Sequence, residues 1–268
     1  MQTYRKARHD APAGFFDTEA AGLRWLAVDG GPRVARVLDV GPGHLDLERL
    51  VPGSATPSAA RTFGRSLAAL HDAGAPAFGT LPSGATEGFF GPLDDPLEMV
   101  AGSWSDWPSY YAEARLRPVL AQGRRRGAFD DDDDAAFDRV CERLPRLAGP
   151  AEPPARLHGD LWSGNVLWTT ADGADETDEA DEAALIDPAA HGGHRETDLA
   201  MLAMFGAPHL EEILAAYADA HPLAPGWRER VRLHQLYPLA VHAVLFGGGY
   251  ISSTRRLLAE LGGDLSSS

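Results

Sequence analysis

Apolar positions recur at helical spacing over most of the chain and at alternating spacing only near its start and middle. The longest stripe runs over residues 227–245, where Leu233, Leu236, Tyr237, Ala240, Val241, Val244 and Leu245 share one helical face. Pro238 lies within it and predicts a kink or a break. Leu210, Ile213, Leu214 and Tyr217 follow the i, i+3, i+4, i+7 pattern, and Phe63, Leu67 and Leu70 mark a helix over residues 61–72. Nearer the start, Phe16, Ala20, Leu23 and Leu26 predict a helix that Asp17 and Glu19 favour at its beginning and Asp29-Gly30-Gly31-Pro32 ends. Two short strands are expected at 33–40 and 44–50, joined by Gly41-Pro42-Gly43, and two more at 166–169 and 184–187. Val51-Pro52-Gly53 separates the strand-bearing start from the helical remainder. The expected organisation is α+β and bilobal, with a small lobe at 1–52 and a large, mainly helical lobe at 53–268.

Composition narrows the function. A formal net charge of −15 argues against a nucleic-acid partner, because binding phosphate backbones needs a basic face. No apolar run approaches the roughly 20 residues of a membrane span. The first residues lack the apolar core of a secretory signal, and the single cysteine, Cys141, permits no internal disulfide, so the cytoplasm is the expected location. The acidic run 130–134 reads as a solvated helix N-terminus, since it lacks the spaced ligands and turn glycine of a calcium loop. Residues 171–182 read as the disordered tip of a hairpin. The 24 basic residues comprise Lys6 and otherwise only arginine, which singles out Lys6 as a position needing a compact ammonium.

The chemistry concentrates in Leu157-His158-Gly159-Asp160-Leu161-Trp162-Ser163-Gly164-Asn165-Val166. This is His-x-Asp-x-x-x-x-Asn before a strand, with Ile186-Asp187-Pro188 at the end of the next strand. Phosphoryl transfer needs a carboxylate to accept the proton of the attacking hydroxyl, a place for Asp160, and oxygen ligands for Mg²⁺, supplied by Asn165 and Asp187. Lys6, thirteen residues before Glu19 on the first helix, fits the lysine–glutamate pair that contacts ATP phosphates. Taken singly, Asp and Asn beside glycine are ordinary turn residues. A zinc set of His158, Asp160, His191 and His194 is also conceivable, but His-Gly-Gly-His does not put two ligands on one helical face.

These motifs resemble the fructosamine (ketosamine) kinase family, a branch of the protein-kinase-like fold related to aminoglycoside and choline kinases. The resemblance is carried by His-Gly-Asp-Leu-Trp-Ser-Gly-Asn at 158–165, by Ile186-Asp187-Pro188-Ala189, and by Gly193-His194-Arg195-Glu196-Thr197-Asp198-Leu199-Ala200-Met201. It continues in Leu236-Tyr237-Pro238-Leu239, Phe246-Gly247-Gly248-Gly249-Tyr250 and the region 107–116. It implies ATP and Mg²⁺ as cofactors and a ketosamine, small or protein-bound, as the substrate phosphorylated at its 3-hydroxyl. Asp160 would then be the catalytic base and Asn165 and Asp187 the metal ligands. Lys6 and Glu19 would serve the phosphates, and Glu48-Arg49-Leu50 would form the hinge that meets adenine. Trp162 would stack on the sugar, with core packing as its other reading, and Asp198 would brace the catalytic loop. Residues 246–250 read as a tight turn. Five residues precede Lys6 and no Gly-x-Gly-x-x-Gly lies upstream, so the small lobe is expected to be N-terminally truncated, without its glycine-rich hairpin. Two other readings follow: a kinase of another amine-bearing alcohol, or a pseudokinase acting as a binding module.

Overall fold

The computed structural model describes residues 2–170 and 181–263. Most of the expected hairpin tip, residues 171–180, lies outside the described residues.

The chain opens with strand β1 (Thr3–Ala7), helix α1 (Phe15–Leu26) and strands β2 (Arg33–Val34), β3 (Val37–Gly41) and β4 (His44–Glu48). β1, β4 and β3 form an antiparallel sheet in that order, with Lys6 opposite Leu45. Phe16, Ala20 and Leu23 of α1 pack on Leu45 and Leu47 of β4, which is the apolar stripe meeting the alternating face. The single strand expected at 33–40 is two strands. β2 pairs in parallel with β9 (Asp181–Leu185), and the chain changes sheets at Ala35, whose N–H donates to Leu185 O. The amino-terminal segment is thereby stitched to the strand that leads to Asp187.

Helix α2 (Pro57–Asp72) begins four residues before the expected start. Thr56 caps it, its hydroxyl accepting from Ala59 N at 3.1 Å, and Pro57 sits where a missing N–H costs nothing. A hairpin of β5 (Gly88–Phe90) and β6 (Leu97–Met99) follows, then α3 (Trp107–Tyr110), π-helical turns over Tyr111–Leu116, α4 (Arg117–Arg126) and α5 (Asp131–Leu147). The acidic run does cap a helix. Asp130 accepts from the N–H groups of Asp132 and Asp133, and the Asp133 carboxylate returns a bond to Asp130 N.

β7 (Ala155–Leu157) pairs with β10 (His191–Gly193), and β8 (Val166–Thr170) pairs with β9; these two small sheets frame the catalytic-loop sequence. Helices α6 (Glu196–Phe205), α7 (Leu210–Ala220), α8 (Trp227–Phe246) and α9 (Gly249–Gly262) complete the chain. α7 lies tightly on α2, where a Cβ at Gly64 would come within 2.3 Å of Ile213 O. Of the kink or break expected at Pro238 the break does not occur, and α8 runs on through the proline. One residue before the proline the Tyr111 hydroxyl is inserted into the ladder, accepting from Tyr237 N at 3.0 Å and donating to Leu233 O at 2.8 Å, the kind of side-chain insertion that accompanies helix bends. Gly247 and Gly248, both at positive φ, make the expected tight turn into α9. No helix among the described residues is long and apolar enough to cross a membrane.

Candidate active site

Lys6 points from β1 to Glu19 of α1, with Nζ 2.8 and 2.9 Å from the two carboxylate oxygens. The same nitrogen lies 3.0 Å from Asp187 Oδ1, across 181 positions of sequence. Burial opposes charge on Lys6, but the attraction of Glu19 and Asp187 outweighs it, so the ammonium is held above its ordinary pKa. Burial pushes the Glu19 carboxyl up. Asp187 takes the left-handed conformation at φ 52°, a strained backbone that Asp tolerates better than most residues.

The loop after β7 is held from behind. Asp198 of α6 accepts from His158 N at 2.8 Å and Gly159 N at 3.0 Å, the bracing position expected for it. Burial works against the Asp198 charge, yet bonds from His71 and the loop amides outweigh it and depress its pKa. His71, which sequence reasoning did not select, spans Asp198 Oδ2 at 3.2 Å and Tyr217 OH at 2.8 Å. Burial keeps His158 neutral. Its Nε2–H donates to Ile186 O at 2.8 Å and its Nδ1 accepts from Asp160 N at 3.2 Å, which ties the loop to the segment carrying Asp187. Gly159, at φ 84°, permits the turn, and a Cβ there would stand 2.2 Å from Ala189 O.

Asp160 and Asn165 are joined directly. Asn165 Nδ2 donates to Asp160 O at 2.8 Å, Asp160 Oδ2 at 3.0 Å and Asp187 O at 3.4 Å. With the amide nitrogen so engaged, Asn165 Oδ1 is the atom left to face a ligand. Burial pushes Asp160 up to about 7; the Asn165 bond opposes this and the charges of Asp187 and Asp198 add to it. A carboxylate poised near neutral pH suits a general base.

Lys6, Glu19, Asp160, Trp162, Asn165 and Asp187 all line one cavity of about 410 Å³. Trp162 is 39% exposed in its wall, so core packing does not describe it; its ring meets Phe205 edge-on at 6.1 Å. Phe89 and Phe90 of the β5–β6 hairpin and His242, Leu245 and Phe246 of α8 also line it, and sequence reasoning assigned none of these five to the site. The available signal was His242, a polar ring one turn before Phe246 on a strongly apolar helix. Glu48, Arg49 and Leu50 are not brought to this cavity. The Glu48 carboxylate turns to Arg33 and to Arg36 N, Arg49 N donates to Gln2 O, and Leu50 packs on the core beneath the first sheet.

The zinc alternative is not assembled. Both ring nitrogens of His158 are engaged, with Ile186 O and Asp160 N, and among the described residues His158, Asp160, His191 and His194 do not converge on one point. His194 instead approaches Glu196 and His234, but Arg230 holds both Glu196 oxygens, at 2.8 and 2.5 Å, in a buried ion pair.

Comparison with known proteins agrees with this geometry. The fructosamine kinase family model matches residues 2–263. A Synechocystis protein named as a ketoamine kinase is 35% identical over 253 residues, covering 91% of this chain and 78% of its own. A crystal structure from Thermobifida fusca, described as a fructosamine-3-kinase, superposes with a TM-score of 0.85 at 44% identity, over 98% of this chain and 86% of that one. Choline kinase of Streptococcus pneumoniae shares the fold alone, with a TM-score of 0.58 at 13% identity over 98% of this chain and 86% of that one. The fold is therefore α+β and protein-kinase-like, and the chain belongs to the fructosamine kinase family.

Proposed function

We propose that this kinase transfers the γ-phosphoryl group of ATP to the 3-hydroxyl of a ketosamine, with Asp160 as the base. The observation that carries the reading is the convergence of Lys6, Glu19, Asp160, Asn165 and Asp187, from four separate stretches of chain, on one cavity. In the reaction the sugar hydroxyl oxygen bonds to the γ-phosphorus, the bond from phosphorus to the ADP oxygen breaks, and the hydroxyl proton passes to Asp160. Lys6, oriented by Glu19, meets the phosphates as a point charge. Asn165 Oδ1 and the Asp187 carboxylate are hard oxygen donors on one side of the cavity, a set suited to Mg²⁺, and these two residues would hold it. When bound, Mg²⁺ neutralises phosphate charge. Trp162 offers a flat, half-exposed ring against which a sugar face can lie.

We assign residues 1–52 to the nucleotide lobe and 53–268 to the catalytic lobe, and keep residues 48–50 as the segment that meets adenine. We also place the protein in the cytoplasm. A non-catalytic binding module would have no use for Lys6, Glu19, Asp160, Asn165 and Asp187 gathered in one cavity. Assay of ADP release with Mg²⁺-ATP across fructose-lysine, ribulose-lysine and a panel of aminoglycosides tests the substrate class. Ketosamine turnover supports the reading, and turnover of aminoglycosides alone would replace it.

A further inference from the structure

A second cavity, of about 20 Å³, lies beside the catalytic loop and shares only Phe90 with the lining of the phosphoryl-transfer site. Gly159, His191, Tyr110, Arg115 and Tyr237 are among its walls. Arg115 is 2% exposed. Its Nη1 donates to Val100 O at 3.0 Å and Ala114 O at 2.9 Å, while Nη2 is buried without a partner among the described residues. The Tyr110 hydroxyl is in the same condition. No carboxylate among the described residues pairs with the Arg115 guanidinium. His191 cannot serve as counter-charge, because its Nδ1 is committed to Ala189 O at 2.8 Å and the neutral ring carries none.

A guanidinium out of water normally finds an anion, since an unpaired buried charge is strongly unfavourable. The Tyr110 and Tyr237 rings, with centroids 4.8 and 5.5 Å from Arg115 Cζ, supply cation–π attraction. That attraction is weaker than the penalty for taking an ion out of water. Two residues with unsatisfied donors, one of them charged, thus line a space whose size exceeds the roughly 10–15 Å³ that one water requires. The same space is far too small for a phosphate or sulfate.

We propose that this cavity binds a monatomic anion, chloride, between Arg115 Nη2 and Tyr110 Oη. The ion neutralises the buried guanidinium and stiffens the wall formed by Gly159 and Tyr237. The site shares only Phe90 with the phosphate-binding cavity and does not depend on the substrate assigned above.

The test is a halide titration of the thermal midpoint at constant ionic strength, with gluconate, too large for the cavity, as the balancing anion. Chloride and bromide should each raise the midpoint saturably by about 2–4 °C, the shift typical of one modest stabilising interaction in a chain of this size. Tyr110→Phe removes one donor and should weaken halide affinity about tenfold or more. Arg115→Met should abolish the response. Crystals grown in bromide should show anomalous scattering inside the cavity, a readout that needs no variant. Equal midpoints in chloride and gluconate, or a cavity peak without anomalous signal, would identify water as the occupant and overturn the proposal.

Discussion

Asp160 sits between opposing demands: burial and two neighbouring carboxylates favour its proton, while the Asn165 amide favours its charge. Burial wins, at about 7. The base must be deprotonated to accept the hydroxyl proton, so kcat/KM should rise with pH through a limb centred near 7 and level off above it. A profile flat from pH 5.5 to 8 would remove Asp160 from that role. Asn165→Ala withdraws the bond that favours the charged form, so the limb should move to higher pH as turnover falls. Titrating that variant beside the native protein measures the shift, and a limb moved to lower pH would refute it. The individual residues of the site were legible because phosphoryl transfer demands particular atoms at particular spacings, and one lysine stood out in an arginine-using chain. His71 was not legible. It lies 127 positions from Asp198 and carries no local signature, being selected only by the packing of α2 against α6 and α7.

At the scale of elements, the periodic helices were readable and their long-range adjustments were not. The stripe in α8 predicts a helix and Pro238 a kink or a break; the helix continues, with a tyrosine hydroxyl from the π-helical turns inserted between Tyr237 N and Leu233 O beside the proline. Tyr111→Phe should therefore destabilise the protein by about 1–3 kcal/mol, from two buried hydrogen bonds lost, with Tyr237 N and Leu233 O able to recover part by bonding each other. Urea unfolding measures this, and an unchanged midpoint would show that α8 tolerates Pro238 unaided. The division of residues 33–40 into β2 and β3 was likewise invisible, because both halves have strand-forming sequences and only the position of β9 decides which sheet each joins. The segment 48–50 was assigned from family likeness alone, and its side chains serve the first sheet.

For the whole molecule, the distribution of buried ionisable groups sets the pH at which the fold holds. Burial lowers the pKa of His158, His191, His194 and His234, with His191 at about 3. The unfolded chain takes up these protons near pH 6.5 while the folded protein resists, so stability is full above about 6.5 and falls as pH drops below it. Each histidine contributes up to about 1.4 kcal/mol per pH unit in that window. Asp160 and Glu19 act in the opposite sense, their raised pKa values favouring the folded state at low pH, but they are two groups against these four. The urea midpoint should be clearly lower at pH 5.5 than at 7.5; an equal or higher value would contradict this account of the core. The central claim concerns catalysis, and it is tested most directly by ADP release from Mg²⁺-ATP with fructose-lysine and ribulose-lysine, run beside Asp160→Asn. The account predicts turnover by the native protein and a loss of about 10²–10⁴-fold in the variant, with the fold intact. Full activity in Asp160→Asn, or no phosphorylation of either ketosamine by the native protein, would contradict it.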